Sequence, residues 1–490
     1  MQNYDLVVIG GGPAGTPVVM EYAKLNPDKK VLLLDALGEL GGECLFDGCI
    51  PSKIMQISAR YINELKKFKE FGIELDNENY HLAWEKIVQR KKEILSKRTG
   101  AAKDVLSTYK NAKLLKATAK FLDKTTLEIS LEDNNTETIS FKKCVIATGS
   151  MANMFTFAGN ANDKIWSNED FFDKMQLPES MSIIGSGAIA IEFAQILSSF
   201  GCKITLFSRS NSILKNIDGD ASAYLLDILK NSENIQVILN AQIQEINFET
   251  EFEIRYTQGS DDDEKIIKSQ KVLSAIGRVP NTEKLNLDIA GVEIDKFGIK
   301  TDKHLQTSNK NIYANGDVVS HFPKFAHTSQ YGAHTIAQNL FLEHNLFSVD
   351  FDKNSWVLFS EPNVAMAGIS EDEAVKRGLD VIVDKYEYAV DAKAQIEGND
   401  TGYVKFIVDK KSNVIIGVSI LAYEANYIAG EAALIVANSL KLSDLVSAIH
   451  PHPTLSESFT VLAKMMMGKI MQEKLQNPLV KTLLDIERFI

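Results

Sequence analysis

The chain has 490 residues, 45% apolar and 24% charged, and carries a formal net charge of −12. That length predicts roughly three domains, each large enough to bury its own core, and the acidic balance argues against a nucleic-acid partner, which a basic face would mark. No apolar run approaches the ~18–20 residues of a membrane span, and the opening Met-Gln-Asn-Tyr-Asp lacks the basic region of a secretory signal, so a cytoplasmic location is the expectation.

Residues 5–9 (Asp-Leu-Val-Val-Ile) read as a buried strand, after which Gly10-Gly11-Gly12-Pro13-Ala14-Gly15 opens a helix. A second strand, residues 31–34, ends at Asp35, twenty positions beyond Gly15. This is the pattern of a dinucleotide-binding unit. Glycines let the backbone approach a pyrophosphate, the helix N-terminus supplies N–H donors, and the acid accepts from a ribose hydroxyl. Next comes Gly41-Gly42-Glu43-Cys44-Leu45-Phe46-Asp47-Gly48-Cys49-Ile50-Pro51-Ser52-Lys53. Structural zinc usually takes four ligands in paired spacing, and no second cysteine pair exists here. Two cysteines five apart, with a glycine between them and a proline after, can instead close into a small ring. Beside a dinucleotide fingerprint they read as a redox pair.

Residues 55–108 carry helical periodicity, and 113–146 read as short strands with turns at Asp123-Lys124 and Asp133-Asn134-Asn135. A second glycine turn, Gly185-Ser186-Gly187-Ala188-Ile189-Ala190, follows the strand at 181–184, with Ala190 in the last glycine position. The next strand, Lys203 to Phe207, leads into Ser208-Arg209 with no carboxylate. An acid there pairs with a ribose 2′-OH, whereas an arginine holds a 2′-phosphate, so Arg209, together with Lys215, points to NADP; a plain surface arginine is the alternative. Residues Gly259 to Glu264 read as a solvated hairpin tip. Cys144 and Cys202 read as packing cysteines. From about residue 351 strands at Val404–Val408 and Val414–Ile420 precede a helix from Ala425 to Leu440, and a Met- and Leu-rich helical stretch runs on to the C-terminus.

The stretch G-G-x-C-x-x-x-x-C-x-P-S-K resembles the active-site signature of the class I pyridine nucleotide-disulfide oxidoreductases. The likeness continues in order through Ala147-Thr148-Gly149-Ser150, the second glycine turn, Ala275-Ile276-Gly277-Arg278-Val279-Pro280-Asn281, Ile312-Tyr313-Ala314-Asn315-Gly316-Asp317 and His450-Pro451-His452-Pro453-Thr454-Leu455-Ser456-Glu457. The fold it implies is α/β, with two Rossmann-like dinucleotide-binding domains and a C-terminal α+β dimerisation domain. Residues 1–152 would form the first part of the FAD domain, 153–277 the NAD(P) domain, 278–350 the second FAD or central part, and 351–490 the interface domain.

The roles follow from the same resemblance. Gly10, Gly12, Gly15 and Asp35 would hold the ADP half of FAD, and Asp317 its ribityl or pyrophosphate region. Further cofactor contacts are implied at Pro13, Ala14, Gly42, Lys53, Ala119, Ala147, Thr148, Gly149, Gly316, Phe325 and Ala326, and at Gly185, Gly187, Ile189, Ala190, Ser208, Arg209, Gly277 and Arg278. Cys49 would be the charge-transfer thiolate beside the flavin and Cys44, the more exposed, the interchange thiol. Lys53 would lie near the flavin, paired with Glu192. His452, oriented by Glu457, would be the acid/base that reaches Cys44 of the partner subunit in a homodimer. His450 is expected to brace its loop, and His327 either meets the isoalloxazine through its backbone or simply packs.

The two-histidine form His450-x-His452-Pro453-Thr454 is most similar to the dihydrolipoamide dehydrogenases, which implies a lipoamide-like dithiol substrate, NAD(P), no metal, and room for a multienzyme complex. An NADPH-dependent, glutathione-reductase-like enzyme stays open beside that reading. Mercuric-reductase-like chemistry is disfavoured because no cysteine follows Cys202. A flavin-binding scaffold with an idle cysteine pair is the non-enzyme alternative, and it leaves the co-occurrence of Lys53, Glu192 and Glu457 without a reason.

Overall fold

The computed structural model describes residues 1–74, 80–133, 135–215 and 217–476. Asn134 of the expected turn and the Met- and Leu-rich stretch beyond 476 lie outside the described residues. The chain divides into two compact units: residues 1–211 with 229–350, and residues 212–228 with 351–490.

In the first unit, β1 (Gln2–Ile9), α1 (Thr16–Leu25) and β2 (Val31–Asp35) form the expected strand-helix-strand unit. Leu6, Val7, Val8, Leu32, Leu33 and Leu34 are all 0% exposed, because a parallel sheet covered on both faces needs unbroken apolar strands rather than alternation. Two helices, α2 (Gly42–Phe46) and α3 (Cys49–Lys67), carry the cysteines, and α4 (Trp84–Ser107) follows. The strands expected over 113–146 are β3 (Ala112–Phe121), β4 (Thr126–Leu131) and β5 (Thr136–Ile146). The early parts of β3 extend the parallel sheet beside β2, and the later part of β5 lies beside β1. Their other ends pair with β4 as an antiparallel meander. Strand Ile312–Ala314 returns much later in the chain to pair parallel with β5.

Short strand β6 (Ser150–Ala152) leads through α5 (Asn168–Lys174) to a second parallel sheet. There β7 (Ser180–Ile184), α6 (Ala188–Ser199) and β8 (Lys203–Phe207) repeat the first unit's plan, and β9 (Ile235–Ile238) adds to the sheet. Both glycine turns thus sit where a parallel strand feeds a helix, which is where open α/β sheets bind nucleotides. The antiparallel strands β10 (Ala241–Phe248), β11 (Phe252–Gln258) and β12 (Asp261–Ser269) come next. The tip expected over 259–264 is narrower: Gln258 already pairs with Asp261, so only Gly259, with its left-handed φ of 67°, and Ser260 turn the chain. Strand β13 (Lys271–Ser274) pairs with β7, and β14 (Arg278–Pro280) pairs with β6.

The second unit is a five-stranded antiparallel sheet in the order 355–358, 363–368, 415–422, 403–409, 381–387. Helices Ala425–Ala437 and Glu457–Gln476 share its core through Phe406, Val418, Ile428, Phe459 and Leu462. The first of these helices stops short of Leu440 because the chain turns left-handed at Ser439, φ 54°. No helix among the described residues is long and apolar enough to cross a membrane.

Segment 212–228 is fixed in this unit by charge. Lys405, its side chain 6% exposed, lies 3.0 Å from Asp218 and 2.9 Å from Asp220, and the Tyr403 hydroxyl donates to Asp218 at 2.9 Å. Breaking a buried pair leaves an uncompensated charge. Lys405→Ala should therefore lower unfolding stability by about 3 kcal/mol, whereas Lys405→Met combined with Asp218→Leu should recover most of it; denaturant unfolding of both measures this.

Candidate active site

The cysteine pair sits at a broken helix. Gly41 and Gly42 take left-handed φ values of 122° and 54°, and a Cβ on Gly42 would fall 2.7 Å from the Cα of Gly12, so the chain here runs against the first glycine turn. Cys44 lies within α2. Gly48 then breaks the helix, and Cys49 is the first residue of α3. Ser52 closes the new turn, donating both its N–H (3.2 Å) and its hydroxyl (2.7 Å) to the Gly48 carbonyl. Pro51 is harmless in a first turn, where its missing N–H has no helical partner to lose.

Both cysteines are free thiols, and a hydrogen bond from Cys44 toward Cys49 is the largest influence on the ionisation of each. That bond lowers the Cys49 thiol to about 7, and the positive charge of Lys53 adds to it. The same bond, then burial, then the charge of Cys49 itself push Cys44 strongly upward, with Glu43 adding to it and Lys53 opposing it. As the pH rises through about 7 the pair therefore takes on one negative charge, on Cys49, at a helix N-terminus that favours a thiolate. Lys53 is itself fixed by Glu192 of α6, Nζ to Oε2 2.7 Å. The expectation that Cys44 is the more exposed cysteine is not met in the single chain. Cys49 is exposed and Cys44 half-buried in the protein chain by itself.

A polar network missed by the sequence reading surrounds this ring. The Arg278 guanidinium pairs with Glu43 and also donates to Ser150, from Nε to Oγ at 2.8 Å and from Nη2 to the carbonyl at 2.7 Å. Ser150 in turn donates to Asp317 at 2.8 Å. Asn168, at the start of α5 and 5% exposed, donates to Glu43 Oε1 at 3.2 Å and to the Asp47 carbonyl at 2.8 Å. Burial raises the Glu43 carboxyl to about 7 against the opposing charge of Arg278.

The glycine turns fit nucleotides. A Cβ on Gly10 would strike the Ala147 carbonyl at 2.2 Å and one on Gly15 the Gly10 carbonyl at 2.0 Å, so packing alone demands those glycines. Gly12 and Gly187 differ. Neither has positive φ; a Cβ on Gly12 would meet only Gly42 at 3.7 Å, and one on Gly187 would meet nothing within 4 Å. The fold leaves room for a Cβ at either position, and the close approach of a nucleotide phosphate would supply a need for glycine there. Asp35 accepts from the N–H groups of Gly11 (3.0 Å) and Leu37 (2.9 Å), which holds the first turn against β2. Pro13 and Ala14 begin α1's approach, and a Cβ on Gly316 would lie 2.8 Å from that of Ala14, so the Asp317 turn packs on the first fingerprint. The Asn315 carboxamide, donating to the Ala14 carbonyl at 3.0 Å, locks the two together.

Among the remaining expected cofactor positions, Ala147, Thr148 and Gly149 leave the carboxyl end of β5, with the Thr148 hydroxyl donating to the Asn281 carbonyl at 2.7 Å. Gly277 accepts from the Asn153 N–H at 2.9 Å. Ala119 lies in the antiparallel end of β3 opposite Ile129, and Phe325 caps the helix that Ala326 begins, its ring stacked on His327. At the second turn Gly185 has φ 121°, Ile189 is half-buried and Ala190 fully buried. Ser208, 0% exposed, shares a hydrogen bond with the Ser186 hydroxyl at 2.9 Å and one with Ser210 at 3.2 Å, while Arg209 is exposed. Lys215 falls in the segment grouped with the second unit.

In that second unit His452 Nδ1 lies 3.0 Å from both carboxylate oxygens of Glu457. The Thr454 N–H, donating at 3.0 Å, and then His452 hold the Glu457 carboxyl below its ordinary range. This leaves Nε2 of a largely exposed imidazole directed away from its anchor, the arrangement a proton carrier needs. His450 is engaged at both nitrogens, by Glu431 at 2.6 Å and Thr460 at 2.7 Å.

Residues 4–333 match the family described as Pyridine nucleotide-disulphide oxidoreductase, and residues 354–463 its dimerisation domain. The chain is 31% identical over 474 residues to a dihydrolipoyl dehydrogenase of Buchnera aphidicola subsp. Baizongia pistaciae (strain Bp), covering 95% of this chain and 96% of that protein. It is 30% identical over 469 residues to the dihydrolipoyl dehydrogenase of Geobacillus stearothermophilus, with the same coverage of each. Among solved structures it is similar in fold to the Cu(II) complex of a cysteine-to-serine mutant of the HOCl-induced flavoprotein disulfide reductase RclA from Escherichia coli, with TM-score 0.82, 24% identity, and coverage of 94% of this chain and 99% of that one.

The electrostatics of the pair are directly measurable. In the reduced protein one cysteine thiolate, followed by its ultraviolet absorbance, should appear as the pH rises through about 7. Lys53→Met removes the neighbouring cation and should move that midpoint upward.

Proposed function

The chain belongs to the pyridine nucleotide-disulphide oxidoreductase family, and we propose from that premise that its substrates are dihydrolipoamide and lipoamide. As a member it is an FAD-dependent disulfide oxidoreductase that uses a nicotinamide nucleotide, and it carries the family's dimerisation domain. The observation that carries the lipoamide reading is the likeness to dihydrolipoyl dehydrogenases along 95% of this chain and 96% of each of those relatives.

In this reading one substrate thiolate attacks Cys44 of the oxidised Cys44–Cys49 disulfide. The S–S bond breaks, a mixed disulfide forms, and Cys49 leaves as a thiolate beside Lys53. The second substrate thiol then attacks the mixed disulfide, closing the lipoamide ring and returning Cys44 to the thiol. His452, oriented by Glu457 and acting on Cys44 of the partner subunit, takes the substrate's protons and returns one to Cys44. Bound FAD, held at Gly10, Gly12, Gly15, Asp35 and Asp317, supplies the two-electron path to the nicotinamide. Disulfide exchange needs a good leaving thiolate, and the lowered Cys49 is one.

For the nicotinamide nucleotide we propose NADP. The second strand ends in the hydroxyl of Ser208 rather than an acid, and Arg209 beside it is exposed and able to meet a 2′-phosphate. The same observation favours a second reading, an NADPH-dependent reductase of another small disulfide.

A steady-state comparison tests both. Dihydrolipoamide oxidation is expected with NADP⁺ at higher kcat/KM than with NAD⁺; no turnover of dihydrolipoamide with either nucleotide rejects the lipoamide reading. Arg209→Ala should cost about tenfold in kcat/KM for NADP(H), or about 1.4 kcal/mol, and leave NAD(H) unchanged. Gly187→Ala meets no neighbouring atom within 4 Å. It should leave the melting temperature unchanged while raising KM for the nicotinamide nucleotide.

A further inference from the structure

The carboxylate expected to meet the flavin does not hold its own orientation. Asp317 sits in a short turn, Gly316–Val318, whose backbone is fixed from behind. The fully buried Asn315 carboxamide donates to the Ala14 carbonyl at 3.0 Å and to the Ser329 carbonyl at 2.8 Å. That joins the turn to the first glycine fingerprint and to the helix Ala326–Leu342. What the backbone leaves free is the Asp317 side chain. Among the described residues one group hydrogen-bonds to it: the buried Ser150 hydroxyl, which donates to Oδ2 at 2.8 Å from 167 positions earlier in the chain.

That hydroxyl is itself aimed. Ser150 has a single hydrogen to give, and a guanidinium can only donate. Arg278 Nε donates to the Ser150 Oγ at 2.8 Å, and Arg278 Nη2 donates to the Ser150 carbonyl at 2.7 Å. The guanidinium is steadied by Glu43, and it reaches Ser150 from β14, which runs antiparallel to β6. With Arg278 fixed on its oxygen, the hydrogen of Ser150 is directed to Asp317.

We propose that Ser150, aligned by Arg278, is a positioning residue for FAD: it holds Oδ2 of Asp317 so that the other carboxylate oxygen, Oδ1, is presented to the cofactor. The inference rests on the reading of Asp317 as a contact of FAD. No described residue donates to Oδ1, so that oxygen is left to accept from a hydroxyl of the cofactor. A carboxylate is planar, and engaging one oxygen settles where the other points. An aspartate already fixed in this way gives up little side-chain freedom when the cofactor arrives, which favours binding.

The experiment follows release of FAD from the diluted holoenzyme by flavin fluorescence, in the unaltered chain, Ser150→Ala, Asp317→Ala and the double variant. Ser150→Ala should raise the dissociation constant for FAD about tenfold, and Asp317→Ala should raise it further. A residue that acts through Asp317 has nothing left to position once that carboxylate is gone. In the Asp317→Ala background, Ser150→Ala should therefore add less than about twofold. If Asp317→Ala retains no FAD, Asp317→Asn replaces it; its neutral carboxamide is a weaker acceptor, so Ser150→Ala should cost less there than in the unaltered chain. Ser150→Cys, a weaker donor of similar size, stands in if Ser150→Ala does not fold. Unchanged FAD affinity in the Ser150 variant, or the same cost whichever residue stands at 317, overturns the inference alone. Unchanged affinity in Asp317→Ala removes Asp317 from the flavin site and takes the inference with it.

Discussion

Cys44 and Cys49 are free thiols close enough to shift each other's ionisation, Cys44 upward and Cys49 downward, and the chemistry of the molecule is organised around that pairing. Two thiols held this close need lose only two hydrogens to become a disulfide, and with one proton between them they present one nucleophile and one reserve of charge. The backbone makes the contact possible. Left-handed glycines at 41 and 42 bring α2 in against the first nucleotide turn, and the break at Gly48 lets α3 begin with Cys49. Had one helix run through without interruption, Cys44 and Cys49 would be five positions apart on a 3.6-residue period and would not face each other squarely.

What holds the ring comes from far along the chain. Glu192, which fixes Lys53, lies 139 residues later; Asn168 reaches back 121 residues to Asp47; Arg278 reaches back 235 to Glu43. All three belong to the second nucleotide-binding fold or to its junction with the first. The two folds are therefore joined around the cysteine pair itself, through Lys53, Asp47 and Glu43. Asp317 enters the same network through Ser150, which ties the ring to the turn expected to hold the flavin.

Much of this was legible in the amino-acid order, where the signal was local. Gly10 to Gly15 and Gly185 to Ala190 announce their turns because a strand, a glycine turn and a helix are contiguous in sequence, and Cys44 and Cys49 announce themselves by spacing and by the glycine and proline beside them. Lys53 with Glu192, and His452 with Glu457, were reachable only through family resemblance, and the structure brings each pair within hydrogen-bonding distance. Asn168, Ser150 and their links to Glu43 and Asp317 were not legible: an isolated asparagine opening a short helix looks like any helix start, and only the tertiary fold aims it at Glu43. The clamp of segment 212–228 by Lys405 was likewise hidden, because a lysine inside a strand reads as solvent-facing until its acids are placed.

The most direct test of the central claim is an anaerobic reductive titration of the purified flavoprotein. If Cys44 and Cys49 form a working disulfide in electronic contact with the flavin, the protein will take up two electron equivalents beyond those its flavin consumes, and Cys49→Ser will abolish that extra uptake. Wild-type protein that is fully reduced by the flavin's own equivalents alone, with both thiols free before reductant is added, would contradict the account.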